Sequence, residues 1–511
     1  MFTKASAFLA SILILLVSSV MTQSPAQEND LLIRDVTVLD PSSEPIKPFK
    51  ASVLIRRGRI EFVGSKSGLK GANAARVIDG RGRYLIPGLI DSHTHLANVA
   101  GLNWGLAKRH SDLVREYRRQ LPGSYLYFGY TTLIDVNVHS PEVLELLRKE
   151  PIRPEILTCG QQLEVWNGFM MAETPPEERL SEFPGFLHDR FNTKAILPKG
   201  LDPRGHTPAA VVRHVTEIQG GQCLKLAHEN GFGGTDDVTW EMPSSEIVSE
   251  VASEAEKAGV PLMLHASSFE SQKFALETGV DIIAHGMWHW GDLLEFLKVT
   301  ELPAGHRQLL EEIALKKIGY QPTFRVIAGQ RDVFVDDFLA NPALQYVYPK
   351  KMLAWLSTEE GRWQERNIKR YAKGFFDGKS NAEIAAFMQL MVDKIGVSAK
   401  VIADNNGVLL FGTDTPASNA HTNPPGLNGY LEMREWQKAG IGLEALLKAA
   451  TISNARAFGL ESEIGGVRPG MRADLLLLRK DPLKDVSAYD SIEIVIMDGR
   501  AIERSEFSAA K

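Results

Sequence analysis

The stretch Leu85-Ile86-Pro87-Gly88-Leu89-Ile90-Asp91-Ser92-His93-Thr94-His95 decides how the rest of the chain is read. An apolar run, Leu85 to Ile90, leads into two histidines one residue apart. On a β-strand, residues i and i+2 project from the same face. His93 and His95 can then address one metal ion together, and two neutral imidazoles on a strand make half of a site for Zn²⁺ or a similar divalent ion. Alone, such a pair reads equally as two ordinary strand histidines. The remaining ligands must come from elsewhere in the chain.

Working outward, 511 residues with 44% hydrophobic content can bury a large core, either as several domains or as one α/β barrel with additions. The net charge of −6 gives no basic footprint for nucleic acid. The two cysteines, Cys159 and Cys223, make no disulfide framework and read as buried thiols in apolar runs. Lys4, an apolar run from about Ala7 to Val20, and small residues at Ser24-Pro25-Ala26 have the layout of a secretory signal over residues 1–26. The run is short for a membrane span, which needs about 20 apolar residues. The expectation is therefore a periplasmic or secreted protein with no stable membrane insertion after cleavage.

From Leu31 to about Arg83 the pattern is one of short strands with turns at Arg57-Gly58 and Gly80-Arg81-Gly82. After His95, apolar strands alternate with helical segments. The strand candidates are Tyr130–Val136, Glu155–Cys159, Gln222–Leu226, Pro261–His265, Asp281–His285, Lys317–Thr323 and Gly407–Gly412. With the run before His93 they make eight, which predicts a closed (β/α)₈ barrel whose reactive groups end its strands. A long segment, about 325–406, reads as a helical insertion over the barrel mouth or as an oligomer contact. Two late strands, Ala473–Leu478 and Ile492–Met497, return to β. The predicted organisation is a small β-sandwich domain built from residues 27–87 and 461–511, and a barrel from 88 to 460.

His93, His95, Lys225, His265, His285 and Asp414 each end, or nearly end, one of these strands. Four histidines and an aspartate are a normal divalent-metal set. A protonated lysine would be repelled by a dication. Lys225 fits if it is neutral, or if it has reacted with carbon dioxide to a carbamate that bridges two ions. The expected centre holds two divalent ions, taken as Zn²⁺. His93, His95 and Asp414 hold one, His265 and His285 the other, and N6-carboxylated Lys225 and a hydroxide lie between them. Asp414 could also pass a proton from the attacking water to the leaving group. Trp166, Asn167, His228, Trp288, His289, Thr323 and Arg325 follow strand ends and are candidates for substrate contact or for packing.

The motifs Pro87–His95, Gly129-Tyr130-Thr131-Thr132, Leu264-His265-Ala266, Ile283-Ala284-His285-Gly286, Gly412-Thr413-Asp414 and Gly466–Leu475 resemble those of the metal-dependent amidohydrolase superfamily. The resemblance runs from about Leu31 to Glu503. Its nearest branch is the imidazolonepropionase-like and prolidase-like one, with Xaa-Pro or Xaa-Arg dipeptidases and ochratoxinase-like enzymes. Leu224-Lys225-Leu226 is similar to the strand that carries a carboxylated lysine in the binuclear dipeptidases. The resemblance implies a hydrolase acting on a C–N amide bond of a small molecule, of dipeptide or N-acyl amino acid type. A lactonase or esterase using the same site is the first alternative, and a mononuclear deaminase the second. Two departures bear on this. His265-Ala266-Ser267-Ser268-Phe269 lacks the nearby glutamate of the deaminases, and Thr158-Cys159-Gly160-Gln161-Gln162 lacks the histidine-rich loop of several dipeptidases. A homo-oligomer is left open.

Overall fold

A computed structural model describes residues 30–69, 73–138, 140–172, 174–230, 240–291, 298–335, 337–372 and 375–511. The expected export segment lies outside the described residues. Five strands come first: β1 (Leu31–Val38), β2 (Phe49–Arg56), β3 (Arg59–Gly64), β4 (Arg76–Asp79) and β5 (Tyr84–Pro87). Eight more follow at longer intervals: β6 (Leu89–Thr94), β7 (Tyr130–Asp135), β8 (Glu155–Thr158), β9 (Leu224–Ala227), β10 (Leu262–His265), β11 (Ile282–Ala284), β12 (Gly319–Gln321) and β13 (Val408–Leu409). The last three are β14 (Leu475–Leu478), β15 (Ile492–Met497) and β16 (Arg500–Glu503).

The run Leu85–Ile90 is not one strand, which corrects the sequence reading. Leu85-Ile86-Pro87 belongs to β5, and the chain changes partners at Gly88. The Gly88 amide donates to Asp474 O, beside β14, whereas the Leu89 amide donates to Gly129 O, beside β7. A Cβ at position 88 would lie 2.0 Å from Thr131 Oγ1, so only glycine lets the chain cross there. The step from one domain to the next takes a single residue.

β1–β5 and β14–β16 form one eight-stranded sheet in the order β16-β15-β14-β5-β1-β2-β3, with β4 on β1. β14 explains how this sheet meets the barrel. Leu475 and Leu477 pack with Leu31, Ile33, Val53 and Leu85 in the sheet domain's own core, whereas Leu476 and Leu478 pack into the main core. A strand covered on both faces must be apolar at every position, as Leu-Leu-Leu-Leu is. Each such leucine contributes about 1.5–3 kcal/mol by its burial.

β6–β7–β8 and β9–β10–β11–β12–β13 are two parallel sets, and they close on each other. At one seam the Ser92 amide donates to Phe411 O (3.1 Å) and the Asp414 amide to His93 O (2.8 Å). At the other the Gln222 amide donates to Thr158 O (2.8 Å). Here Cys159 and Cys223, read from the sequence as thiols, are joined by a disulfide. They flank β8 and β9 at this seam, so the disulfide ties the two strand ends covalently beside the Gln222 to Thr158 hydrogen bond. Eight parallel strands in chain order make the (β/α)₈ barrel expected from the alternation.

The helices follow local signals. Ser244 accepts from the Ile247 amide to start Ser245–Ala258, and Gly259 ends it at φ 68°. Thr207 caps Pro208–Arg213 in the same way. Between β12 and β13 lie helices Arg325–Asp332, Lys350–Leu356, Trp363–Tyr371 and Asn381–Asp404, the last opened by a capping box of Ser380 and Glu383. Trp363 Nε1 donates to Gly101 O and Gln364 Nε2 to Ser418 O. The insertion thus packs on the segments that follow β6 and β13, at the end of the barrel where the histidines emerge. No helix among the described residues is long and apolar enough to cross a membrane.

Candidate metal centre

His93 lies within β6 and His95 one residue beyond its end. His93 is 1% exposed, and its Nδ1 lies 3.0 Å from Gln321 Oε1 on β12. Gln321 Nε2 is committed to Ser92 Oγ (2.7 Å) and Ser92 O (3.3 Å), so its oxygen is the acceptor. His93 therefore carries its proton on Nδ1 and presents an Nε2 lone pair. That nitrogen faces Asp414 Oδ1 at 3.7 Å, and His95 Nε2 reaches the same oxygen at 2.8 Å. The candidate ligand atoms of His93, His95 and Asp414 all lie within 4.8 Å of one another.

Asp414 is placed by the loop that leaves β13. Thr413 donates from Oγ1 to Asp91 Oδ2 (2.6 Å), and Asn428 Nδ2 donates to Thr415 Oγ1 (2.7 Å), so both neighbours of Asp414 are tied down. Asp414 itself has φ 54°, and His285 has φ 80°. Such angles cost free energy in non-glycine residues and persist where the surroundings hold them. Here they turn two side chains towards one point: His285 Nδ1 lies 3.9 Å from Asp414 Oδ2. Thr323 Oγ1 meets the same Nδ1 at 2.8 Å.

The other two predicted residues join the same cluster. The His265 ring centroid lies 4.4 Å from that of His285, which in turn lies 5.1 Å from that of His93. Lys225, on β9, is 2% exposed, and its Nζ meets Met263 Sδ at 3.5 Å. Burial lowers its ammonium to about 7, against a smaller opposing pull from Asp414. Burial, then the Lys225 charge, pushes His93 well below its ordinary value; burial, then His265 and Lys225, does the same to His285. Both imidazoles are therefore neutral and fit to ligate. Burial alone would raise the Asp414 carboxyl, but His93, His95 and His285 hold it well below the usual carboxylate range. His95 differs: burial lowers its imidazole, but the hydrogen bond and charge of Asp414 outweigh this and raise it, so a metal ion would have to displace a proton there. Imidazoles, an ionised carboxylate and a readily deprotonated amine are a donor set that fits divalent metal. All six residues named from the sequence converge here.

The expected substrate contacts divide. Thr323 orients His285, and Trp288 and His289 are buried beside each other. His228 stacks on Phe274 and bonds Ser271 Oγ; burial lowers its imidazole to about 4. Trp166 packs on Phe186, and Asn167 accepts from Arg179. Arg325 takes the packing alternative: it is 1% exposed, with Nη1 on Asp332 Oδ2 (2.6 Å) and Nε on Asn428 Oδ1 (2.8 Å). The aromatic faces beside the centre are others. Phe169 lies with its ring centroid 5.4 Å from His265 and 5.3 Å from Trp240.

Residues the sequence reading passed over are Gln321, which sets His93, and Glu229. Glu229 Oε2 lies 2.8 Å from His265 Nε2. Its spacing was the available signal, since Lys225 and Glu229 are four residues apart along one extended segment.

Residues 391–502 match the amidohydrolase family. An imidazolonepropionase of Idiomarina loihiensis is 54% identical over 233 residues, 44% of this chain and 55% of that protein. An adenine deaminase of Deinococcus deserti is 41% identical over 70 residues, 14% of this chain and 12% of that protein. The chain thus spans about half or less of the length of these curated relatives. A solved Xaa-Pro dipeptidase with bound methionine superimposes with a TM-score of 0.60 at 18% identity, covering 93% of this chain and 100% of the other. The ochratoxinase of A. niger gives 0.62 at 18%, covering 93% and 95%.

Proposed function

We propose, from the premise that this chain belongs to the amidohydrolase superfamily, that it hydrolyses a C–N amide bond in a small molecule of dipeptide or N-acyl amino acid type. The observation that carries the reading is the convergence of His93, His95 and Asp414, with His285, His265 and Lys225 around them, at the C-terminal ends of the barrel strands. His93, His95 and Asp414 would hold one divalent ion and His265 and His285 a second, zinc in our reading. Bound there, such a pair polarises a carbonyl and activates a water as nucleophile.

The chain's own residues supply the rest. Lys225 is buried and easily deprotonated, so its Nζ can add to carbon dioxide with loss of a proton, giving an anion between the two ligand groups. Asp414 is held ionised, so an Oδ atom can take a proton from the attacking water and deliver it to the departing nitrogen. Phe169 and Trp240 offer apolar faces to a substrate side chain beside His265. We further propose export, to the periplasm of a Gram-negative cell or outside the cell otherwise. The N-terminal segment and the Cys159–Cys223 disulfide, a bond suited to oxidising compartments, support it. A mature N-terminus at Gln27 is the expected finding.

The deciding experiment is elemental analysis of protein purified with bicarbonate and without chelators, followed by a panel of amides, lactones and aminopurines. Two zinc equivalents with amide cleavage is the expected result, with the activity and one equivalent lost in Lys225→Ala. Full metal content in Lys225→Ala refutes the carbamate. Lactone opening without amide cleavage moves the function to the lactonase. One equivalent with ammonia release favours a mononuclear deaminase, a reading to which the compact His93, His95, Asp414 trio and the deaminases among the relatives lend support.

A further inference from the structure

We propose that Glu229 is a positioning residue that fixes which nitrogen of His265 faces the metal centre. This rests on the reading of His265 as a metal ligand. Glu229 follows β9, whose Ala227 is paired with His265 on β10, so the two side chains are neighbours across parallel strands. The register continues one residue further, where the His228 amide donates to His265 O (3.0 Å). The Glu229 main chain is also held, because Trp240 Nε1 donates to its carbonyl at 2.6 Å. The side chain is 7% exposed.

The carboxylate is shared in a definite way. Oε2 lies 2.8 Å from both His265 Nε2 and Ser267 Oγ. A carboxylate oxygen accepts, so His265 Nε2 carries the proton and the Nδ1 lone pair is the one left to bind. Oε1 has no hydrogen-bond partner among the described residues and lies 4.0 Å from the fully buried His289 Nε2. A carboxylate this enclosed is costly to keep without compensation. The hydrogen bonds to His265 and Ser267 supply it, and they act on the ring that the centre needs oriented. The pairing parallels that of Gln321 with His93, in which a partner from another barrel strand holds one ring nitrogen and frees the other.

The test is zinc affinity of the full-length protein, by competition with a chromophoric chelator, with zinc equivalents counted in parallel. In Glu229→Ala the weaker zinc is expected to bind about 10- to 100-fold less tightly. Glu229→Gln keeps an oxygen that accepts from Nε2 and is expected to recover most of that loss. The metal-stripped variants should melt with the stripped wild type. Should Glu229→Ala fail to fold, Glu229→Asp, which keeps the charge but shortens its reach, is expected to weaken zinc in the same direction. Wild-type affinity in Glu229→Ala overturns the assignment and leaves the metal centre standing. So does a loss shared equally by the stripped protein's stability, which would make Glu229 a packing residue. A wild type that binds no zinc overturns the centre and this role together.

Discussion

Substituting Gly412 by alanine should disable the centre without replacing any of its candidate ligands. Gly412 sits between β13 and Asp414, where the chain passes directly over β6. A Cβ placed there would lie 2.7 Å from His93 Cβ, 3.2 Å from Gln321 Nε2 and 3.3 Å from Gln321 Cδ. Ordinary contacts begin at 3.4 Å, so the two strands must part by 3.4 − 2.7 = 0.7 Å at this point. His93 Cβ is fixed to a strand backbone and cannot swing aside. The seam that must open is the one carrying the Asp414 amide to His93 O hydrogen bond, and it sets the distance between two ligands of one ion. Overpacking of this kind costs about 1–3 kcal/mol of stability. A misplacement approaching 1 Å at a reacting site costs about 10²-fold in rate. The assay pairs turnover of the best amide with zinc affinity. Gly305→Ala serves as control, since a Cβ there meets nothing within 4 Å. The expected result is about a hundredfold loss of turnover with a modest drop in melting temperature for Gly412→Ala, and neither for Gly305→Ala. Wild-type turnover and affinity in Gly412→Ala would refute the claim that this contact sets the ligand spacing.

Three further outcomes follow from other parts of the molecule. Arg325→Met removes one of the two guanidinium partners of Asp332, which keeps Arg331, and leaves Asn428 Oδ1 without its buried donor; it should cost about 1–3 kcal/mol in urea unfolding while KM stays unchanged, whereas a raised KM with intact stability would return Arg325 to substrate binding. Replacing both Cys159 and Cys223 by alanine releases a loop of sequence separation 64, worth about 4 kcal/mol on the chain-entropy account, and identical urea midpoints for the two proteins would contradict it. Glu164 is fully buried, and burial raises its carboxyl to about 8 in the folded protein against 4.5 otherwise. A raised carboxyl binds its proton more tightly in the folded state, so its contribution is fullest below pH 4.5 and is lost as pH climbs towards 8. Glu164→Gln should therefore gain on the wild type in melting temperature between pH 5 and pH 8, and a gap independent of pH would count against it.

The candidate ligands were legible because each closes, or nearly closes, an apolar run, and barrel chemistry collects at strand ends. The side chains that aim them were not. Gln321 reads as one polar residue in a short strand until the barrel closes and brings β12, one strand removed across β13, within reach of β6, and Glu229 matters only once β9 and β10 are paired. The break at Gly88 is hidden inside a continuous apolar run, because β5 and β6 are both buried and demand the same residue type. The disulfide is invisible to spacing, since the barrel alone brings residues 159 and 223 together. Arg325 misleads for a plain reason: an arginine after a strand end can face the mouth or turn back into an ion pair, and only the position of Asp332 decides.

The sheet domain that draws on both termini has a consequence for how the molecule comes into being. Ser92 bonds a carbonyl 319 residues away and Arg59 one 411 residues away, so neither β6 nor the first five strands can complete their pairing until the end of the chain is made. Contacts of such long sequence separation are slow to form. The nascent chain therefore exposes an open edge at β5 until β14 is made, after the last candidate residue of the centre, Asp414, is already in the chain. That order of events leaves a window in which the polypeptide is still threadable and in which holding chaperones have an unpaired strand to grip.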